Sequence, residues 1–357
     1  MGLRIIKPDT NINFIGLRKW AYGLSAALLL LGIFSLVFKG GPQYGIDFAG
    51  GIIVQVKFEQ DIELNEFKSA MEDVELSGLV IQRFGIDLDN EYLVRTSAED
   101  LTPVKVRELM EGALQTNLPD RGYEIQRLEM VGPKVGADLR TKALEALFYA
   151  VLLIAIYISG RFEQRWFAAA IMAGGLATGI YLLGLVNLPV GGLILAAMLI
   201  TLGLCWYLKL NFALGAIVAI IHDVMITVGL FSLMNKEFDL TIVAALLTII
   251  GYSLNDTIIV FDRVRENLRS KISPSLAETI NISINQTLSR TILTSGTTLI
   301  VVFCLYLFGG GVIHDFALAL LVGISVGTYS SIYVASPILL GFKPQVIEED
   351  EEALAAP

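Results

Sequence analysis

One aspartate in the middle of an apolar, helix-length run has the most evident chemistry in this chain. Asp256 follows Asn255 within the segment Gly251 to Asn267, and apolar residues flank the pair on both sides. A charged side chain at the centre of a membrane helix costs about 2.5 to 3.5 kcal/mol on insertion scales, so such residues usually face a bundle interior or a watery cavity. They often mark ion or proton pathways. The alternative is a protonated aspartate that bonds a neighbouring helix and serves packing alone.

A second polar pair, His222 and Asp223, lies in the middle of another apolar run. Histidine titrates near neutral pH, so this pair could take part in proton movement. Neighbouring helix positions point about 100° apart, and we therefore expect the two side chains to face different partners. An interhelical hydrogen bond without any role in proton movement explains the pair equally well.

The composition is that of a membrane protein. Hydrophobic residues make up 54% of the chain and charged residues 17%, with a mean hydropathy of +0.65. A soluble domain would carry about 25% charged residues. Apolar stretches near the ~20 residues that a bilayer requires predict about eight spans, the first of them a retained helix without a cleavage site after it. They cover about 18–38, 141–159, 167–187, 190–208, 211–234, 239–262, 291–309 and 316–340.

Basic residues predict how these spans are oriented. They fall on one side of the spans, which the positive-inside rule makes cytoplasmic, whereas the opposite short loops hold just Lys236. Both termini are therefore predicted to be cytoplasmic and residues 39–138 to lie outside. The net charge of −9 comes in large part from an acidic tail, which we expect to be solvated. The basic residues are Lys7, Arg18, Lys19, Arg161, Arg165, Lys209, Arg263, Arg265, Arg269, Lys271 and Arg290.

Residues 39–138 are predicted to form a small α+β domain of ferredoxin-like βαββαβ order. The domain contains neither histidine nor cysteine, and its Gly50-Gly51 pair lacks the lysine of a phosphate-binding loop, so we expect no enzyme activity. Gly45 and Asp47 precede that pair, where a tight turn joins the first span to the first strand. The predicted strands are 52–58, 79–84, 92–96 and 123–130, and the predicted helices are 64–74 and 103–118.

Six segments of the chain, in order, resemble those of the SecF family, membrane subunits of the bacterial Sec export system within the RND superfamily. The resemblance implies an α-helical polytopic fold with a six-span core and one extracytoplasmic ferredoxin-like domain, in the bacterial inner membrane. The segments are YGIDFAGG (44–51), VGPKVG (131–136), FALGAIVAIIHDV (212–224), GYSLNDTIIVFDRVREN (251–267), NQTLSRTILTS (285–295) and VGTYSSIYVASP (326–337).

The same resemblance implies a function and partners. It implies a subunit of the SecDF complex that couples proton flow to polypeptide translocation, without nucleotide or metal cofactor. SecD would be the obligatory partner, SecYEG the channel served and YajC a further candidate partner, with unfolded polypeptide as cargo, lipid around the spans and no nucleic acid bound. A small-molecule RND exporter and a purely structural scaffold remain alternatives, although a single external domain of about 100 residues is small for an exporter.

The TLSRT segment matches the family segment whose arginine is associated with proton movement, which adds Arg290 to the candidate relay. An arginine stays charged, so it would act as a fixed cation near a carboxylate and not as a proton carrier. Snorkelling toward lipid headgroups is its plainer explanation. The candidate relay residues are thus Asp256, Arg290, Asn255, His222 and Asp223.

The chain departs from the usual six-span pattern through an insertion at about residues 164–210. Its two predicted spans contain no ionisable side chain, so we expect a peripheral position facing lipid or a partner. Just after the sixth span, residues 271–289 carry apolar residues at helical spacing and predict an amphipathic helix on the cytoplasmic face. The predicted organisation is an N-terminus and first span (1–38), an external domain (39–138), a membrane bundle (139–342) and an acidic tail (343–357).

Overall fold

Within the residues that the computed structural model describes, six helices are long and apolar enough to cross a membrane. The described residues are 11–84, 90–97, 101–163, 167, 170–175, 178–179 and 190–341. In chain order the elements are α1 (Phe14–Phe38), α2 (Ile46–Ala49), β1 (Gly51–Phe58), α3 (Leu64–Ala70), β2 (Val80–Phe84), β3 (Glu91–Thr96), α4 (Pro103–Asn117), β4 (Tyr123–Val131), α5 (Pro133–Glu163), α6 (Val190–Tyr207), α7 (Asn211–Leu233), α8 (Leu240–Arg269), α9 (Leu276–Phe308) and α10 (Gly310–Ser330).

The six long helices are α1, α5, α7, α8, α9 and α10, and each overlaps a predicted span. The last span continues beyond α10 through the turns Ser331–Ala335 and Leu339–Gly341. Of the two inserted spans, the second is α6, whereas the first and the acidic tail lie for the most part outside the described residues. Helix α6 packs against α5 and α7. Its Cys205 is buried in the main apolar cluster of the bundle, while Leu195 and Leu199 are exposed on the opposite side.

Helix α9 corrects the prediction of a separate amphipathic helix before the seventh span. It runs without a break from Leu276, because no glycine or proline interrupts it before Gly296 and its hydroxyl side chains bond to carbonyls within the helix. Part of the polar face of its first half is covered by neighbouring segments. Asn267 of α8 donates to Ser283 and Gln286, and Asn285 donates to the Ile12 carbonyl. The segment is therefore an extension of the span.

The external domain has the predicted ferredoxin-like fold. Its antiparallel sheet has the order β2-β3-β1-β4, with β1 paired to β3 and β4 along its length. Helices α3 and α4 cover one face, and the core between them contains fully buried aromatic rings. Phe67 lies 5.1 Å from Phe58 and 5.3 Å from Tyr92, measured between ring centroids and near perpendicular in both cases.

The other face of the sheet lies over the loop between α7 and α8. Glu237 of that loop forms an ion pair with Arg95 and accepts a hydrogen bond from Gln82. A cleft of about 260 Å³ remains between sheet and loop, with both acidic and basic side chains along it. Helix α5 begins at Pro133, eight residues before the predicted span, and its first turns contact α2. The domain is thus attached at one end of several helices.

Glycines allow close helix crossings in the bundle. A Cβ added at Gly229 of α7 would lie 2.6 Å from the Gly32 Cα of α1, and one added at Gly327 of α10 would lie 2.8 Å from the Ser253 Cβ of α8. Small residues at helix interfaces let backbones approach where lipid supplies no hydrophobic driving force. These contacts bring the polar side chains of α1, α7, α8 and α10 within hydrogen-bonding distance.

We expect Gly229→Val to weaken the α1–α7 crossing, because the added methyl groups would overlap the Gly32 backbone. Overpacking of this kind costs about 1 to 3 kcal/mol. Thermal unfolding in detergent should show a clear decrease in the midpoint. The control is Gly23→Val, since a Cβ at Gly23 meets no atom within 4 Å. Equal midpoints for the two variants would contradict the close crossing.

Phe67→Ala should destabilise the external domain by about 3 to 5 kcal/mol, because it removes a fully buried ring from the core. Urea denaturation of purified residues 39–138 would measure this change. The matched control is Val104→Ala in α4, whose side chain is exposed and should change stability by no more than about 0.5 kcal/mol. An unchanged urea midpoint for Phe67→Ala would contradict the described core.

Candidate functional site

Asp256 lies inside the bundle, where α8 meets α9 and α10. Its side chain is 1% exposed. The Oδ2 atom accepts a hydrogen bond from the Ser295 hydroxyl of α9 at 2.9 Å and a longer one from Thr328 of α10 at 3.5 Å. The Thr328 hydroxyl also lies 2.9 Å from Ser295 Oγ. Its Oδ1 atom is buried and has no hydrogen-bond partner among the described residues. One carboxyl group therefore contacts side chains from two other helices.

His222 and Asp223 form a second buried polar cluster. Asp223 Oδ2 accepts from Ser253 of α8 at 2.6 Å and from Ser330 of α10 at 2.8 Å. His222 Nε2 lies 3.0 Å from Ser25 Oγ of α1, so the two side chains face different helices, as predicted. They also bond each other, with His222 Nδ1 and Asp223 Oδ1 2.9 Å apart.

The two carboxyl clusters share the same pair of helices. Ser253 precedes Asp256 by three residues on α8, so both lie on one helix face about one turn apart. On α10, Thr328 contacts Asp256 and Ser330 contacts Asp223. A relative shift of α8 and α10 would therefore change the contacts of both carboxyl groups.

A π-helical turn, Ser331–Ala335, follows immediately after these α10 residues. Ser331 Oγ lies 3.0 Å from the Thr257 hydroxyl of α8, and Ser336 donates to the Ser331 carbonyl. Gly215 of α7 approaches the turn closely, since a Cβ there would lie 3.0 Å from the Ala335 oxygen. Single π turns inside helices are frequent at functional sites. This one lies where α10 crosses both α7 and α8.

Asn255 and Arg290, the other two candidate relay residues, do not join either cluster. Both side chains are exposed on the outside of the bundle. Arg290 precedes Ser295 by five residues on α9, a rise of about 7.5 Å. Among the described residues it makes no ion pair with Asp256. The structure thus brings together Asp256, His222 and Asp223 with hydroxyl groups and places Asn255 and Arg290 on a surface.

The glycine junction is the tight turn that the sequence predicts, with a short helix inside it. Gly45 precedes α2, and Asp47 lies in the first turn of that helix. Gly50 and Gly51 have φ angles of +77° and +120°, which residues other than glycine rarely adopt. A Cβ at Gly51 would also lie 2.7 Å from the Thr96 oxygen of β3. The junction therefore requires glycine on both grounds.

Several carboxyl groups meet at the N-terminal end of α8. Asp239 caps that helix, with its Oδ1 accepting from the Ile242 amide at 2.8 Å. Burial raises the pKa of Asp239; its backbone hydrogen bonds oppose the rise, and the neighbouring carboxylates of Asp47 and Asp315 add to it. Lys236 forms an ion pair with Asp315 at 2.8 Å. In the described part of the chain, no three of the His, Cys, Asp and Glu side chains come close enough to hold a metal ion.

Two features of the site were not anticipated from the sequence. Its hydroxyl partners are Ser25, Ser253, Ser295, Thr328 and Ser330. The only sequence signal for them is the frequency of serine and threonine within apolar spans, since the same side chains more often bond a carbonyl of their own helix. The second feature is His314 near the start of α10, whose ring packs at a tilt of 31° against Tyr306, with 4.2 Å between ring centroids.

Comparison with known proteins gives consistent matches along the chain. The family described as "Protein export membrane protein SecD/SecF, C-terminal" matches residues 112–188 and 183–345, and the "SecD/SecF GG Motif" matches residues 34–62. The two matches to the first of these families overlap at residues 183–188, inside the inserted segment. The protein translocase subunit SecF of Desulfurispirillum indicum is 42% identical over 343 residues, which cover 94% of this chain and 93% of the relative.

SecF of Calditerrivibrio nitroreducens is 38% identical over 340 residues, covering 94% of this chain and 96% of the relative. The crystal structure of SecDF from Thermus thermophilus, a translocon-associated membrane protein, matches with 32% identity and a TM-score of 0.68 over 93% of this chain. This chain spans 39% of that longer chain. With these matches and its membrane-spanning helices, the chain is a multi-pass membrane protein that belongs to the SecF family of protein translocase subunits.

Proposed function

We propose that this chain is the SecF part of a SecDF complex in the bacterial inner membrane and couples proton flow to translocation of exported polypeptide. The observation that carries the proposal is the environment of Asp256, a carboxyl group buried among three helices with one oxygen lacking a partner. Intramembrane carboxyl groups of this kind are costly and are retained where they serve ion or proton pathways.

Protonation of Asp256 changes what its contacts can be. An ionised carboxylate only accepts hydrogen bonds, whereas a protonated carboxyl also donates one. Because Oδ2 accepts from Ser295 and Thr328, a proton on this group alters the balance of bonds between α8, α9 and α10. One elementary charge moved through 100 mV yields about 2.3 kcal/mol, enough to favour one helix arrangement over another. Proton binding would thus be converted into helix movement.

The remaining candidate residues take supporting roles in this proposal. Arg290 supplies a fixed positive charge on α9, close along the helix to Ser295, and acts on Asp256 when the helices move. Asp223, which is bonded to His222, provides a second carboxyl group. Because this group is bonded to α8 and α10, it responds to the same movement. Asn255 lies on the exposed face of α8 and is available to a partner in the membrane.

The proposed partners follow from the family. The Thermus thermophilus SecDF chain is more than twice as long as its match to this one, and SecD is the partner proposed for the rest of such a complex. SecYEG is the channel served, YajC is a further partner, and unfolded polypeptide is the cargo. Both termini are cytoplasmic and the external domain is periplasmic, as the basic loops predict. Exposed apolar residues of α1, among them Leu24 and Leu31, face lipid or a partner.

Asp256→Asn should abolish stimulation of export by the proton gradient while leaving assembly intact, because the amide has the same shape but cannot exchange a proton. Export into inverted vesicles, with and without a gradient, measures the effect. The control is Asp262→Asn on the same helix, whose carboxylate is half-exposed and pairs with Arg161. Such pairs contribute little. Stimulation equal to wild type in the Asp256→Asn vesicles would favour a scaffold role instead.

Deletion of residues 164–209 should leave a protein that inserts and still responds to the gradient. The ring centroids of Phe162 and Phe212 lie 5.5 Å apart, so the end of α5 and the start of α7 are close enough to be joined directly. The main cost is the packing of Cys205 and its neighbours against the bundle. The same export assay tests this, with SecD co-purification as the check on assembly. Loss of stimulation in an assembled deletion variant would place the inserted helices in the mechanism.

A further inference from the structure

The helix that carries Asp256 is capped by a residue of the external junction. The backbone amide of Leu240, the first residue of α8, donates to Asp47 Oδ2 at 3.0 Å, across 193 residues of sequence. Asp239 Oδ1 accepts from the Ile242 amide in the same turn. The first amides of a helix lack partners within it, and carboxylates there satisfy them and complement the helix dipole. One of the two caps of α8 therefore comes from the other side of the domain boundary.

Backbone contacts hold the same two segments in register. The Gly45 amide donates to the Phe238 carbonyl, and the Phe238 amide donates to the Gln43 carbonyl, both at 2.7 Å. Tyr44 and Phe238 form a parallel bridge. These two bonds join backbone atoms only. Asp47 is the side chain that adds a specific bond to α8 itself.

Only a short stretch of chain connects Asp47 to the sheet. Asp47 lies on α2, and β1, the central strand bonded to both β3 and β4, begins at Gly51. A Cβ at Gly50 would lie 2.9 Å from Pro133 Cα, so the junction is also packed against the start of α5. From Leu240 to Asp256 the rise along α8 is about 24 Å. One uninterrupted helix thus joins the buried carboxyl group to the base of the external domain.

We propose that Asp47 is a positioning residue that couples the external domain to α8, so that the domain follows movements of the helix that carries Asp256. The proposal rests on the proposed function, because it names the link by which proton-dependent helix movement reaches the periplasmic domain. It requires an acceptor oxygen at position 47 and an amide donor at position 240. It does not require Asp47 to bind cargo or to carry a proton.

The test uses the full chain assembled with SecD in vesicles. Asp47→Ala removes the acceptor, whereas Asp47→Asn keeps an oxygen in place and should retain most of the wild-type behaviour. Leu240→Pro removes the donor from the opposite partner and suits the first helical position, since Asp239 before it is extended. Loss of a cap of this kind corresponds to about a fivefold change in population. We expect Asp47→Ala and Leu240→Pro each to lower gradient stimulation of export by about that factor, and their combination to lower it no further.

A distance measurement separates positioning from other roles. Spin labels are attached at Lys68→Cys on α3 and at Ser270→Cys at the end of α8, in a Cys304→Ser background. The distance between them reports the position of the external domain relative to α8. The distance distribution should broaden in Asp47→Ala and Leu240→Pro and stay narrow in Asp47→Asn. The control is Glu129→Gln, an exposed carboxylate on the same cleft that pairs with Arg127 and should change neither readout.

The outcomes distinguish this inference from the proposed function. If wild type shows no gradient stimulation, or Asp256→Asn retains it, the proposed function fails. If both behave as proposed but Asp47→Ala and Leu240→Pro keep wild-type stimulation and narrow distances, the coupling role of Asp47 is overturned. Lost stimulation with an unchanged distance distribution would also overturn it, because Asp47 would then act by something other than position.

Discussion

The burial of carboxyl groups among apolar helices is the constraint on which the bundle depends. Asp256 and Asp223 lie where water cannot solvate them, so neighbouring helices must supply donors. Serine and threonine supply most of these, since Ser295, Ser253 and Ser330 all donate to one of the two groups. Short hydroxyl side chains reach only when helices are close. The glycines at the crossings are therefore part of the same requirement.

Sequence periodicity predicted the external domain closely and the polar contacts hardly at all. All four predicted strands and both helices are present, because alternation and helical spacing are local properties of one segment. The contacts of Asp256 depend on which helices become neighbours, and no local pattern specifies that. The prediction of a separate amphipathic helix before the seventh span was wrong for a related reason. Residues 276–290 carry polar groups that suggested an interfacial helix, but Asn267 and the Ile12 carbonyl supply their partners.

The candidate site residues divide into those that are buried in the bundle and those that lie on its surface. Depth within an apolar run identified Asp256, His222 and Asp223, and the structure buries all three among helices. Asn255 lies in the same apolar run as Asp256, and Arg290 is added by the family resemblance, yet both lie on the surface of the bundle. A residue on such a surface can act on the buried carboxyl group through its charge, through movement or through a partner. The division separates side chains buried within this chain from side chains on its surface.

The π turn at Ser331–Ala335 gives α10 a place to change register beside both clusters. A π turn holds one extra residue, and its loss would rotate the residues before it by about 100° relative to those after it. Ser330 lies directly before the turn and bonds Asp223, and Thr328 lies two residues earlier and bonds Asp256. Ser331, the first residue of the turn, bonds Thr257 of α8. A small change in this turn would therefore alter the donors of Asp223 and Asp256 together, which links the two carboxyl groups without requiring a direct contact between them.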